Sequence, residues 1–214
     1  MIYKLKVTTP YFGTDARTNT PAVSDNAKLW NEETVVNIEK RIELLEDILA
    51  PWAPAMGADG EGYKNHCYRM LHFTQALYPC DSSEKHKLVI AAAHHDIGIW
   101  SAHTVDYLPP SRTEALRYLQ AQGKTAWSEE VALMIDEHHK LTRFKDPKFP
   151  LVEAFRRGDL VDFSMGWLRQ GVPAAFVREV QAAFPNAGFH KMLMRSAGQW
   201  FRQHPLSPPP FMKW

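Results

Sequence analysis

Apolar side chains recur at helical intervals along most of this chain, the period of helices that bury one face. Between 33 and 49, Val35, Val36, Ile38, Ile42, Leu44, Leu45 and Ile48 fall among acidic and basic residues and predict an amphipathic helix. Ala50-Pro51 and the glycines of the 57–62 stretch interrupt the pattern before a second helix over 63–77, which Pro79 closes. Asp81-Ser82-Ser83-Glu84 offers the N-cap of a third helix running towards His95. That helix is apolar nearly all round over 88–93, so it should be buried, and Gly98 is placed to stop it. Further helices are predicted over 112–121, 128–140, 151–168, 173–183 and 189–202, with Ser128, Glu129 and Glu130 forming a plausible helix start. The first 30 residues carry no helical period and read as an irregular or short extended arm on the surface. The tail contains Pro208-Pro209-Pro210 and could be disordered or dock as an extended chain, even onto a second subunit of a homodimer. The expectation is an all-α bundle: an arm over 1–30, one helical domain over 31–204 and a tail over 205–214.

Composition narrows the function classes. The 214 residues are 45% hydrophobic and 23% charged, enough to build one globular core. With 25 Lys and Arg against 24 Asp and Glu, the net charge of +1 supplies no general attraction to nucleic acid or anionic lipid. The longest apolar run is too short to cross a bilayer, and the opening residues lack the apolar stretch of a signal peptide, so a cytoplasmic protein is expected. Cys67 and Cys80 are too few for a disulfide framework or, by themselves, a structural zinc site, and read as free thiols. Neither a phosphate-binding Gly-rich loop nor a G-x-S-x-G elbow is present, which argues against nucleotide kinases and serine hydrolases.

The chemistry lies in the histidines. Most of the ten fall in one stretch: His66, His72, His86, His94, His95, His103, His138 and His139. In Ala-Ala-Ala-His94-His95-Asp96-Ile97-Gly98, ionisable groups end an otherwise apolar helix, where burying them unpaired would be costly. A divalent cation would relieve that cost, because neutral imidazole and carboxylate are good ligands. Successive helical residues point about 100° apart, so His94 and His95 rarely serve the same ion, and His94 reads as a core or supporting residue.

In this respect the chain resembles the HD superfamily of metal-dependent phosphohydrolases, whose signature is a His, a His-Asp pair and a distant Asp on separate helices. His66 matches the first position, in Asn65-His66-Cys67-Tyr68-Arg69-Met70. His95-Asp96 matches the doublet, and Asp159 the last position, in Arg156-Arg157-Gly158-Asp159-Leu160-Val161-Asp162. The resemblance covers roughly residues 60 to 165. It implies that His66, His95, Asp96 and Asp159 hold one divalent metal ion. Their mixed N/O set suits Mn, Fe, Co, Ni, Zn or Mg, and leaves positions for water and substrate. The implied activity is hydrolysis of a small-molecule phosphate ester or nucleotide by metal-activated water.

Other residues extend this expectation. Members with two metals carry further histidines; here the first such window is empty, whereas Asp136-Glu137-His138-His139-Lys140 resembles the later element. His138 and His139 are therefore candidates for a catalytic acid, a phosphate contact or a water-mediated ligand, and otherwise a surface pair. His103 is a candidate proton donor or an exposed loop residue. Arg69 shares a helix face with His66 and could grip phosphate or pair with a buried carboxylate. Lys140 could likewise bind substrate, with Arg112, Arg156 and Arg157 as further cations or merely solvated ones. Asp162 could support a ligand or Arg69. Trp100, Phe144, Phe155 and Trp167 are expected in the core rather than around a nucleobase. Two other chemistries follow from the same resemblance, hydration of a small nitrile and oxygenation by a di-iron pair. A ligand-binding module without turnover is the non-enzymatic alternative.

Overall fold

The computed structural model describes residues 2–5, 34–207 and 209–210. The architecture is all-α apart from one ribbon, in which β1 (Ile2–Leu5) pairs antiparallel with β2 (Thr34–Asn37), Ile2 opposite Asn37 and Leu5 opposite Thr34. The expected helix over 33–49 is therefore only partly formed. Its β-branched Thr34-Val35-Val36 run lies in the strand, where such side chains suit the extended backbone. The helix α1 is confined to Glu43–Leu49. The remaining arm, 6–33, and residues 208 and 211–214 of the tail lie outside the described residues.

After α2 (Ala53–Met56) comes α3 (Gly60–Leu77), the axis of the domain, whose Tyr63, Cys67, Met70, Leu71 and Phe73 are fully enclosed. Burial of Met70, Leu71 and Phe73 contributes roughly 1.5–3 kcal/mol each. Helix α4 (Ser82–His94) starts from the expected cap: Asp81 accepts from the Glu84 amide, and Glu84 accepts from the Asp81 amide. It packs beside α3, and the buried run from Leu88 to His94 faces the core. The helix ends at His94, before the glycine expected to stop it, and Gly98 instead opens α5 (Gly98–Ser101). Gly98 is needed for close approach: a Cβ there would fall on the Tyr107 carbonyl and lie 2.9 Å from Ser111 Oγ.

The remaining helices are α6 (Leu108–Ala121), α7 (Ser128–Glu137), α8 (Pro150–Phe163), α9 (Ala174–Ala183) and α10 (Phe189–Gln203). The first begins earlier than expected because Pro109 and Pro110 occupy its first turn, where a missing N–H costs nothing. Helix α8 stops short of the expected Leu168, the chain turning through positive φ at Met165 and Gly166. Trp167 is consequently 87% exposed rather than in the core, unlike the buried Trp100 and Phe155. Helix α8 packs most extensively on α3. Gly158 permits this: a Cβ there would fall on Thr74 Oγ1 and come within 3.0 Å of the Met70 carbonyl. No helix among the described residues is long and apolar enough to cross a membrane.

Candidate metal centre

Three buried elements converge at the heart of the bundle. Helix α3 supplies His66 and Arg69, the end of α4 and its following turn supply His95 and Asp96, and α8 supplies Asp159 and Asp162. His138 arrives from the turn after α7. His66, His95, Asp96, His138, Asp159 and Asp162 are each no more than 3% exposed.

The hydrogen bonds determine where the imidazole protons sit. His95 Nδ1 lies 2.7 Å from the Ala92 carbonyl and His138 Nδ1 lies 2.7 Å from the Ile135 carbonyl; a carbonyl only accepts, so both Nδ1 atoms carry the proton. His66 Nδ1 lies 2.7 Å from Asp162 Oδ2 and donates to that carboxylate. In the neutral form each ring therefore turns a bare Nε2 inward; burial opposes a charge on His138, but Asp96 and Asp159 outweigh it and raise its pKa. His66 Nε2 and His95 Nε2 stand 2.9 Å apart, so in the neutral tautomers two lone pairs meet face to face. His66 Nε2 is also 3.5 Å from Asp159 Oδ1, His95 Nε2 is 3.4 Å from Asp96 Oδ2, and His138 Nε2 is 3.4 Å from Asp96 Oδ1. Among the described residues, Asp96 Oδ1 and His138 Nε2 are buried without a hydrogen-bond partner. A set of acceptors aimed at one another is unfavourable unless a proton or a cation sits among them.

Potential ligand atoms of His66, His95 and Asp96 cluster within 4.8 Å, and those of Asp96, His138 and His139 do the same, so these buried groups could hold a metal ion. The donor set fits one. Burial pushes the His95 imidazole down to about 3, leaving it neutral as a ligand must be. Burial also pushes the Asp159 carboxyl up to about 6, against the pull of His138 and His66, and a cation would reverse that cost.

Around this cluster stands a supporting layer. Burial would raise the Asp162 carboxyl, but hydrogen bonds from His66 and Arg69 overcome it and hold it down to about 2. Arg69 forks onto Asp162, Nε to Oδ1 at 2.6 Å and Nη2 to Oδ2 at 2.9 Å. Its Nη1 donates to the Phe184 and Pro185 carbonyls at 3.0 and 3.1 Å, and Asn65 Nδ2 also donates to the Pro185 carbonyl. Phe189 at the start of α10 stacks on His66, ring centroids 4.1 Å apart. The Tyr63 hydroxyl donates to the Ala93 carbonyl and accepts from the Asp96 amide, tying α3 to the turn that carries the His-Asp pair.

The remaining candidates are placed differently. Arg69 serves Asp162, and Lys140 pairs with Glu137 at 2.9 Å. Arg112 pairs with Asp136, Arg156 with Glu153, and Arg157 donates to the Gln170 carbonyl. His103 is exposed, with φ at 50°, and lines a cavity of about 300 Å³. His139 lines the same cavity, its Nε2 lying 2.6 Å from the Tyr107 hydroxyl. His94 is buried, donates to the Ile90 carbonyl and belongs to neither ligand group. Sequence reasoning missed Tyr107 and Phe189; neither has a local motif, and both reach the site only through tertiary packing. Comparison with family models, curated proteins and solved structures finds no match to this chain.

Proposed function

We propose that this protein is a metal-dependent hydrolase of the HD kind, in which His66, His95, Asp96 and Asp159 hold a divalent cation beside an electrophilic substrate. The observation that carries this reading is the convergence of three imidazole Nε2 atoms on buried carboxylates, an arrangement that needs a proton or a cation among its acceptors. When bound, such a cation supplies Lewis acidity, lowering the pKa of water and polarising the electrophile.

The chain's own groups do the rest. Asp162 holds His66 in the tautomer that presents Nε2, and Arg69 holds Asp162 charged. His138, held by the Ile135 carbonyl, directs its Nε2 to Asp96 and is placed to accept a proton from attacking water. His139 and the Tyr107 hydroxyl form the polar link between the cluster and the cavity. The resemblance implies a phosphate ester as the electrophile; an activated water could equally add to a carbon centre such as a nitrile. Asp96 belongs to both ligand groups, which favours a second reading with two ions sharing that carboxylate. Two irons would turn the chemistry towards oxygenation.

The test is elemental analysis of protein purified without chelators, alongside a variant carrying His95→Ala and Asp96→Ala. One or two ions per chain, lost in the variant, is the expected result. Metal content unchanged by the substitutions, or no binding by the wild type after reconstitution with Mn, Fe, Co, Ni, Zn and Mg, would overturn the reading.

A further inference from the structure

The cavity beside the cluster has a composition that speaks to its occupant. Ile99, Val105, Phe163, Leu193 and Met194 form its apolar walls, and Tyr107 with His139 forms a polar end. Thr104, Ser196 and Gln199 add uncharged polar groups, and His103 stands at the exposed side. No Lys, Arg, Asp or Glu is among the described residues that line it. His139 belongs both to this lining and to the group with Asp96 and His138, so a molecule in the cavity is held against the candidate metal centre.

The cations that could have served a phosphate do not line the cavity. Arg69 is buried on Asp162 and Arg156 on Glu153, Lys140 and Arg112 make surface pairs with Glu137 and Asp136, and Arg157 reaches the Gln170 carbonyl. Recruiting Arg69 would strip a buried carboxylate of its partner, a cost that a substrate contact would have to repay. A phosphate dianion entering the cavity would shed water and meet hydroxyls, an amide and imidazoles against apolar walls. An uncharged molecule with one hydrogen-bonding head gains from both: its body covers the apolar walls and its head meets the Tyr107–His139 pair.

We propose that this cavity binds an uncharged, largely apolar small molecule bearing a single polar head, and that a phosphate monoester is not its ligand. The proposal rests on the metal-dependent reading for what happens at that head, but the binding preference follows from the cavity alone. Its volume of about 300 Å³ suits a single ring with a short substituent.

The test uses two probes with the same body, N-benzylacetamide and benzyl phosphate, titrated into the purified full chain by ligand-observed NMR. Metal content is measured on the same sample. Both titrations are run with and without chelator; in the chelated sample the amide should bind at least about 100-fold tighter than the phosphate, because no lining side chain gives the dianion a cationic partner. Ala197→Trp, which fills the cavity from α10, should weaken the amide by about tenfold or more with metal content unchanged. Met194→Lys, at a wall position already 74% exposed and so tolerant of substitution, should improve benzyl phosphate by about tenfold and leave the amide within about threefold. Equal or tighter binding of the phosphate by the chelated wild type, no binding of the amide, or amide binding indifferent to Ala197→Trp would each overturn the proposal. Amide binding by a protein that takes up no metal would sink the hydrolase reading alone; metal uptake without amide binding would sink the cavity assignment alone.

Discussion

Replacing Asp162 by Asn separates two roles that the structure assigns to one side chain. In the wild type, two carboxylate oxygens take three donors: His66 Nδ1, Arg69 Nε and Arg69 Nη2. An amide of the same shape has one acceptor oxygen and a donor NH₂. In its better orientation the oxygen faces His66 and Arg69 Nη2, and the NH₂ confronts the Arg69 Nε–H. Arg69 is 2% exposed, so its guanidinium is left as a buried cation without a counter-charge. Losing one partner of such a pair costs about 3–5 kcal/mol. For a chain of this size that lowers Tm by roughly 6–20 °C. His66 keeps an acceptor but loses the negative charge that makes its Nε2 a strong donor to a metal, a change worth about 10–100-fold in affinity. Calorimetry measures the first effect, and competition with a chelator of known affinity measures the second. Adding Arg69→Met removes the stranded cation and should restore much of the Tm, but not the metal affinity. A fall in Tm below about 3 °C, which corresponds to roughly 1 kcal/mol, would refute the account of the ion pair. Recovery of metal affinity in the double variant would refute the positioning role of Asp162.

Two further predictions concern packing and pH. Gly158→Ala forces a Cβ onto Thr74 at the α3–α8 contact and should cost about 1–3 kcal/mol, read by thermal denaturation, while weakening metal binding because His66 and Asp159 move apart; unchanged stability would contradict the close approach described. Burial pushes His94 down to about 4 from an ordinary value of 6.5, so the unfolded chain takes up a proton that the folded one refuses. The stability held above pH 6.5 should therefore fall by about 3 kcal/mol as the pH drops to 4, and urea titrations should show this share of the slope missing in His94→Leu.

The parts of this architecture that were legible in the sequence are those with local signatures. The apolar run of α4, its Asp81–Glu84 cap and the His-Asp pair at its end lie within a few residues of one another. His66 and His95 could be paired only through a resemblance, and the structure sets their Nε2 atoms 2.9 Å apart. The strand at Thr34–Asn37 was hidden because its residues also satisfy a helical period, and its pairing partner lies near the other end of a long intervening segment. Arg69 and Lys140 look alike in sequence as available cations. Their engagement depends on counter-charges, one of which stands 93 residues away, and no local pattern records that distance. The cavity was invisible for the same reason: its walls come from the 99–107 segment, His139, the end of α8 and α10.

The span of the supporting hydrogen bonds also sets when the site can exist during synthesis. His66 waits 96 residues for Asp162, and Arg69 waits 115 residues for the Phe184 carbonyl. The ring that covers His66, Phe189, is later still. A ribosome emits the ligand-bearing segments of α3 and α4 long before it releases the groups that fix their tautomers and shut out water. Early histidines are then loose, with no selectivity from geometry, and the long loops between partners must close before the site exists. On the proposed reading, any selectivity among ions would therefore be set only once α10 has packed onto His66.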